Sequence, residues 1–168
     1  MAEFEFFRKE YKFQGKHARM VSEMWALNDY EHTYFKRLLD LYIVAAVIGF
    51  RIDRKAERDD APVEERKIFG EQMSGAKEEL DFIMQMMIML ESAAEEDHEQ
   101  CIKRAFRGVE TKEEFDHYNK MFESYMLGGV EELYERLVIQ QSEVGAEYAD
   151  DRTERLMALF ERFAPEKL

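Results

Sequence analysis

Apolar positions recur at helical spacing over most of the chain. Met20, Val21, Met24, Trp25 and Leu27 predict one helix over His17 to Leu27. Asn28-Asp29 then interrupts the pattern and offers a new N-cap. From Tyr30 to Phe50 the spacing predicts a long helix. It starts amphipathic, with Tyr34, Phe35 and Leu38, and becomes apolar all round, as the central helix of a core does. Its most apolar stretch, Leu41 to Phe50, is ten residues long, about half of what a bilayer span requires. Gly49 suits either a helix stop or close packing against a neighbour.

Residues 51–62, RIDRKAERDDAP, are charged and read as a linker, with Ile52 their only large apolar side chain. Asp59 or Asp60 is placed to cap the next helix, with Pro62 in its first turn. That helix is predicted from Val63 to Ala94 on the series Ile68, Phe69, Met73, Ala76, Leu80, Ile83, Met84, Met87 and Leu90. Glu95-Glu96-Asp97 ends it or restarts a short helix holding Cys101, Ala105 and Phe106, with Gly108 as a stop. Thr111 to Glu114 has the capping-box pattern, Thr at the cap and Glu three residues on. The helix it opens carries Tyr118, Met121, Phe122 and Tyr125. Gly128-Gly129 marks a kink or break before a second segment, Val130 to Gln141. A last helix runs from about Thr153 to Phe163. Residues 4–13 alternate imperfectly. They fit a strand or a helix, and are read as part of an extended N-terminal arm over residues 1–15. The expectation is an all-α, single-domain bundle of five to seven helices over residues 1–168.

Composition narrows the function. The chain of 168 residues contains one Cys, which excludes an intramolecular disulfide framework and a cysteine-rich zinc site. Its start has acids where a signal peptide needs Lys or Arg, so a cytoplasmic location is the default expectation, with no membrane partner. The net charge of −13 is unevenly placed: residues 1–58 carry 11 basic and 9 acidic side chains, residues 59–168 carry 13 and 28. Such a balance disfavours direct nucleic-acid binding over most of the surface. Basic clusters do occur, at Arg8, Lys9, Lys12, Lys16 and Arg19, interleaved with Phe7, Tyr11, Phe13 and His17, and at Arg51, Arg54, Lys55 and Arg58. With carboxylates diluting both, they read as solvated or partner-binding surfaces.

Candidate chemistry is sparse. No Gly-rich phosphate loop and no nucleophile elbow is present. Two Glu-x-x-His pairs, Glu95/His98 and Glu114/His117, have the spacing that places a carboxylate and an imidazole on one helix face. They define a di-metal bundle as a third-ranked reading. Cys101, His98 and Glu95 lie side by side on one helix, which is poor geometry for a nucleophile with its base, so Cys101 is read as core. No catalytic residue and no cofactor is expected. Of the 11 methionines, five fall between Met73 and Met89, and they cover more than one helix face. Met84 and Met87 fit the core stripe, whereas Met86 and Met89 fall off it and are assigned to a partner interface, together with Arg51, Arg54, Lys55 and Arg58.

The stretch FKRLLDLYIVAAVIGFR, Phe35 to Arg51, with Ile68-Phe69-Gly70-Glu71-Gln72 beyond it, resembles small helical accessory proteins of bacterial phage-defence islands. Those proteins accompany Dnd-type DNA phosphorothioation and restriction systems, and share a helix of the form L-x-x-hydrophobic-Ala-Ala-x-x-Gly-Phe ending in basic residues. The resemblance covers about residues 35–72 and carries over no catalytic residue. It implies a non-catalytic accessory subunit of a DNA-targeting assembly, working through a protein partner or as a homo-oligomer. The alternative is an acidic DNA mimic, with Glu113, Glu114, Asp116, Glu123, Glu131, Glu132 and Glu135 followed by Glu143, Glu147, Asp150 and Asp151 as its array.

Overall fold

A computed structural model describes residues 4–25, 33–92, 97–139 and 152–164. The fold is organised by one helix crossing. Helix α2 (Leu38–Arg51) and helix α6 (Lys112–Tyr134) share the most extensive contact in the molecule. Small residues set its closeness. A Cβ added at Gly129 would lie 1.7 Å from the carbonyl oxygen of Ala45, and one at Gly49 would lie 1.8 Å from that of Tyr125. Backbone therefore meets backbone, and Leu41, Met126, Leu127 and Leu133 pack fully buried around the crossing. The sequence predicts a kink or break at Gly128 and Gly129, but they do not break α6. The helix runs through them, and the missing side chains admit α2 and the segment after it.

The end of α2 explains where that segment goes. Asp53 takes a left-handed conformation (φ 54°), which Asp tolerates better than most residues. Arg54 N–H then donates to Gly49 O at 2.9 Å and Asp53 N–H to Phe50 O at 3.2 Å, the paired bonds of a Schellman stop. The chain reverses onto α6. Ala56 N–H donates to Ser124 O at 3.0 Å, and the Tyr125 hydroxyl donates to Asp53 at 3.0 Å. Residues 53–56 are thus a strap bound across α6.

A two-stranded antiparallel sheet corrects the all-α expectation. Strand β1 (Tyr11–Gln14) pairs with β2 (Glu65–Ile68), Tyr11 opposite Ile68 and Phe13 opposite Arg66. The helix predicted from Val63 therefore does not exist as one element. Ile68 is buried as part of β2, α3 (Gly70–Gly75) follows, and α4 (Lys77–Ser92) carries the rest. Asp59 does cap a helix, but not the next one. Its carboxylate accepts from the backbone N–H of Lys16, at 2.8 Å, at the start of α1 (Gly15–Met24). Residues 33–37 are not helical, so α2 begins at Leu38 rather than at Tyr30; residues 30–32 lie outside the described residues.

Other expectations hold. Helix α5 (His98–Arg107) buries Cys101 and Ala105, and Gly108 (φ 84°) follows it. The Thr111 hydroxyl accepts from Glu114 N–H at 3.2 Å, so the N-cap is real. The Glu114 carboxylate reaches one residue further back than a capping box requires, to Glu110 N–H at 3.1 Å. Helix α6 passes into a π-helical turn, Glu135–Ile139, against which α7 (Arg152–Phe163) packs with Leu159 buried. Among the described residues no helix is long and apolar enough to cross a membrane.

Candidate functional site

The strap brings two charged segments together on one flank of α6. The Arg54 guanidinium donates to three carboxylates of α6 and its π turn: Glu132 at 2.9 Å, Glu135 at 2.7 Å and Glu131 at 3.3 Å. From α1, His17 Nε2 lies 3.0 Å and Lys16 Nζ 2.9 Å from Glu131 Oε1. Arg136, one turn on, donates to Glu132. His17 is 1% exposed and Glu132 7%, so the network is built into the fold rather than laid on it. It ties α1, the strap and α6 together.

Electrostatics fixes the protonation states. Burial pushes Glu131 and Glu132 toward the neutral acid, but their cationic hydrogen-bond partners outweigh it and hold both below the usual carboxylate range. Hydrogen bonding to Glu135, ahead of Glu132, holds Arg54 in its charged form against partial burial. For His17 burial is the largest influence and lowers its pKa, with the Glu131 carboxylate opposing. His17 is therefore neutral near pH 7, its Nε2–H donating to Glu131. A lowered pKa means that the unfolded chain binds a proton the folded one refuses. Stability is full above the ordinary value of 6.5 and falls as pH drops below it. Urea midpoints measured from pH 8 to 5 are expected to decline below about pH 6.5, before Glu131 and Glu132 begin to protonate. His17→Gln is expected to flatten that part of the profile. An unchanged slope in the variant would place the titration elsewhere.

The cations assigned from sequence to a partner surface have different fates. Arg54 is turned inward, as above. Arg58 bonds Asp60 at 2.6 Å, Gln14 at 2.9 Å and Glu123 at 3.2 Å. Lys55 Nζ sits 4.7 Å above the Tyr125 ring. Arg51, the last residue of α2, is exposed. Pairing with Arg54 and Arg58 withdraws Glu123, Glu131, Glu132 and Glu135 from a free acidic array, and pairing with Arg107 withdraws Glu114. Glu113 and Asp116 stay exposed, and Glu143, Glu147 and Asp150 lie outside the described residues, as does Asp151.

Of the two Glu-x-x-His pairs, only Glu114/His117 lies wholly within the described residues. Glu95 lies outside the described residues, and His98 is exposed at the start of α5. The Glu114 carboxylate is held by Arg107 at 2.8 Å and by Glu110 N–H, while His117 is 3.9 Å from Glu91. Among the described residues no group of three His, Cys, Asp or Glu side chains is arranged to hold a metal ion.

The methionine-rich helix α4 has two apolar faces. Leu80, Ile83, Met84, Met87 and Ile88 are buried. At 100° per residue, Phe82, Met86, Met89 and Leu90 fall on the opposite side. There Phe82 is 61% and Leu90 53% exposed, Met86 is half-buried, and Met89 is half-buried against the edge of the core. No charged residue occurs from Phe82 to Leu90. Sequence reasoning found this helix through Met86 and Met89, but its most exposed apolar members are Phe82 and Leu90, the latter against the expectation that Leu90 faces inward with the core series. It did not find the His17–Glu131–Arg54 network. The signal available was the position of His17 on the buried stripe with Val21 and Met24, at i, i+4 and i+7. Comparison of the chain with family models, with curated proteins and with solved structures finds no match.

Proposed function

We propose that this chain is a non-catalytic accessory subunit that docks a protein partner through the outer face of α4. The observation that carries the reading is the uncharged run from Phe82 to Leu90, exposed on the side of the helix away from the core. A helix face turned to water ordinarily carries charge, and a contiguous exposed apolar strip is a contact surface. Charge argues for the kind of partner. The face continues at its N-terminal end into exposed Glu78 and Glu79, and the whole chain carries −13. Two copies repel, whereas a groove rimmed by Lys and Arg is attracted. A partner that handles DNA has such surfaces, which agrees with the defence-island setting implied by the resemblance over residues 35–72. The acidic-mimic reading has less support, because α6 engages most of its carboxylates internally.

The test compares the wild type with a Phe82→Glu/Leu90→Glu double variant in affinity capture from the native host. Both substitutions sit on the solvent side, so the melting temperature is expected to change little. The expected result is one stoichiometric partner with a basic contact surface, reduced at least tenfold in the double variant. Capture that is undiminished in the variant overturns the assignment of the face. Sedimentation of the pure protein as a dimer that the double variant dissociates would give the face to a second copy instead.

A further inference from the structure

Away from the outer face of α4, residues 4–9 cross α6 before β1 begins. The chain turns at Phe6-Phe7, and Phe7 has φ 59°, in the left-handed region that is unfavourable for an aromatic residue. Before the turn, Phe4 and Phe6 both lie against the ring of Phe115 of α6, at 5.6 and 5.1 Å between centroids, and Phe6 is stacked on it. The Phe7 ring is buried and meets Phe122 edge-on at 4.9 Å.

Apolar contact alone holds residues 4–6 to the body of the fold. Among the described residues no backbone hydrogen bond joins residues 4–9 to the rest of the chain. The ion pair of this stretch, Glu5 with Arg8 at 3.2 Å, lies within it. The groove is also wider than the segment it holds. A cavity of about 570 Å³ flanks the segment toward α2 and α3, and one of about 200 Å³ flanks it toward α4 and α5. Phe4 and Glu5 line both. Space beside a side chain forfeits dispersion contacts, and a segment with few anchors opens before the fold does. A left-handed Phe7, cavities on both sides and no backbone anchor make residues 4–6 such a segment.

We propose that residues 4–6 are a displaceable plug hinged at Phe7, and that the groove over Phe115 receives an extended segment of a protein partner with the plug's own chemistry, two aromatic side chains flanking a carboxylate. The occupant seated there in the structure defines that chemistry. Swinging the plug out lets Phe7 leave the left-handed region while its ring stays on Phe122, and it uncovers the half-buried Phe115 ring. An incoming aromatic side chain regains the stacking that Phe6 gives up, without the left-handed turn. Charge favours a carboxylate between the rings. Residues 4–6 aside, six cations line the two cavities, among them Arg8, Arg104 and Arg107, against the three carboxylates Glu10, Asp81 and Glu123. That excess stands in a chain whose net charge is −13. Departure of Glu5 also takes away the carboxylate that Arg8 holds at 3.2 Å, so the incoming carboxylate has a guanidinium to meet.

The experiment is an NMR titration of the isotope-labelled full chain with the peptide acetyl-Gly-Phe-Glu-Phe-Gly-amide, and with acetyl-Gly-Ala-Glu-Ala-Gly-amide as control. The receptor is the wild type or a Phe4→Ser/Phe6→Ser double variant, which empties the groove. A tethered plug competes at an effective concentration in the millimolar range. The expected result is saturable binding to the double variant, with shifts centred on Phe115 and Tyr118, at least tenfold weaker binding to the wild type, and no binding of the control. Adding Phe115→Ala to the double variant is expected to weaken the peptide at least tenfold. The double variant is expected to keep a cooperative urea transition. Its unfolding would make residues 4–6 part of the core and overturn the proposal. Absence of saturable binding at millimolar peptide, equal binding to the wild type, equal binding of the control, or indifference to Phe115→Ala would each overturn it as well. A pure wild type that sediments as a dimer, and that the double variant dissociates, would overturn the assignment to a partner and give the groove to a second copy. Phe82 and Leu90 line neither cavity, so these outcomes leave the assignment of the α4 face untouched.

Discussion

Gly129→Ala is expected to destabilise the fold by about 3 kcal/mol, the upper end of what overpacking a well-packed interior costs. Two effects oppose each other. Alanine is the better helix former, and in the interior of a helix the exchange returns about 1 kcal/mol. Against this, the new Cβ would sit 1.7 Å from the Ala45 carbonyl oxygen and 2.5 Å from its carbonyl carbon. Those are backbone atoms of α2, and no rotamer change moves them. Relief requires α2 and α6 to separate along the whole crossing, which loosens the packing of Leu41, Met126 and Leu133 together. Steric cost therefore exceeds propensity gain. Gly49→Ala approaches the same crossing from the other helix, with its Cβ 1.8 Å from the Tyr125 carbonyl oxygen. The pair is expected to be less than additive, because the first substitution already opens the gap. Gly75→Ala is the control: its Cβ would meet nothing within 4 Å, so little change is expected. Urea midpoints with unchanged m-values measure all three. If Gly129→Ala is as stable as the wild type, the helices are not held by backbone contact.

The helices were readable where their causes are local. The apolar run of α2, the Thr111 cap and the Gly108 stop each depend on neighbours within four residues. The sheet was not readable, because its cause is distant. Glu65–Ile68 reads ERKI, three polar residues before one apolar, which helical periodicity absorbs without conflict. Only its pairing with Tyr11–Gln14, more than fifty residues away, makes it a strand. Gly128-Gly129 shows the same limit. Locally two glycines weaken a helix, and only the presence of Ala45 and Arg54 against them explains why they are there. The candidate surfaces divide in the same way. Excess methionine on α4 was visible as an off-stripe pattern. Glu131 and Glu132, in an acid-rich helix, look like any solvated face until the left-handed turn at Asp53 delivers Arg54 onto them.

That delivery makes Arg54 the second position at which one substitution is expected to have a large effect. Arg54→Met keeps most of the side-chain volume and removes the charge. A fully buried ion pair loses about 3–5 kcal/mol when one partner is removed. An exposed pair contributes about 0–1 kcal/mol. Arg54 lies between these limits: its side chain is 28% exposed, and its carboxylate partners range from 9% for Glu132 to 49% for Glu135. Glu132 would keep Arg136, and Glu131 would keep Lys16 and His17. The expected loss at pH 7 is therefore about 2 kcal/mol, nearer the lower limit of the buried range. Its dependence on pH separates the charge from the packing. Glu131 and Glu132 have pKa values held below the ordinary 4.5, so the stability they contribute is present above that value and is lost as pH falls through their folded values. Once protonated, they no longer need the guanidinium, and the variant and the wild type converge. Guanidinium chloride would screen the pair, so urea denaturation at pH 7 and in steps below pH 4.5 is the measurement. Arg54→Lys serves as the intermediate case. A single ammonium cannot span three carboxylates as the forked guanidinium does, so it is expected to recover less than half of the loss. A deficit in Arg54→Met that stays constant as pH falls would assign the role of Arg54 to its methylene stem packed on α6, and the network would then be a consequence of the fold rather than one of its supports.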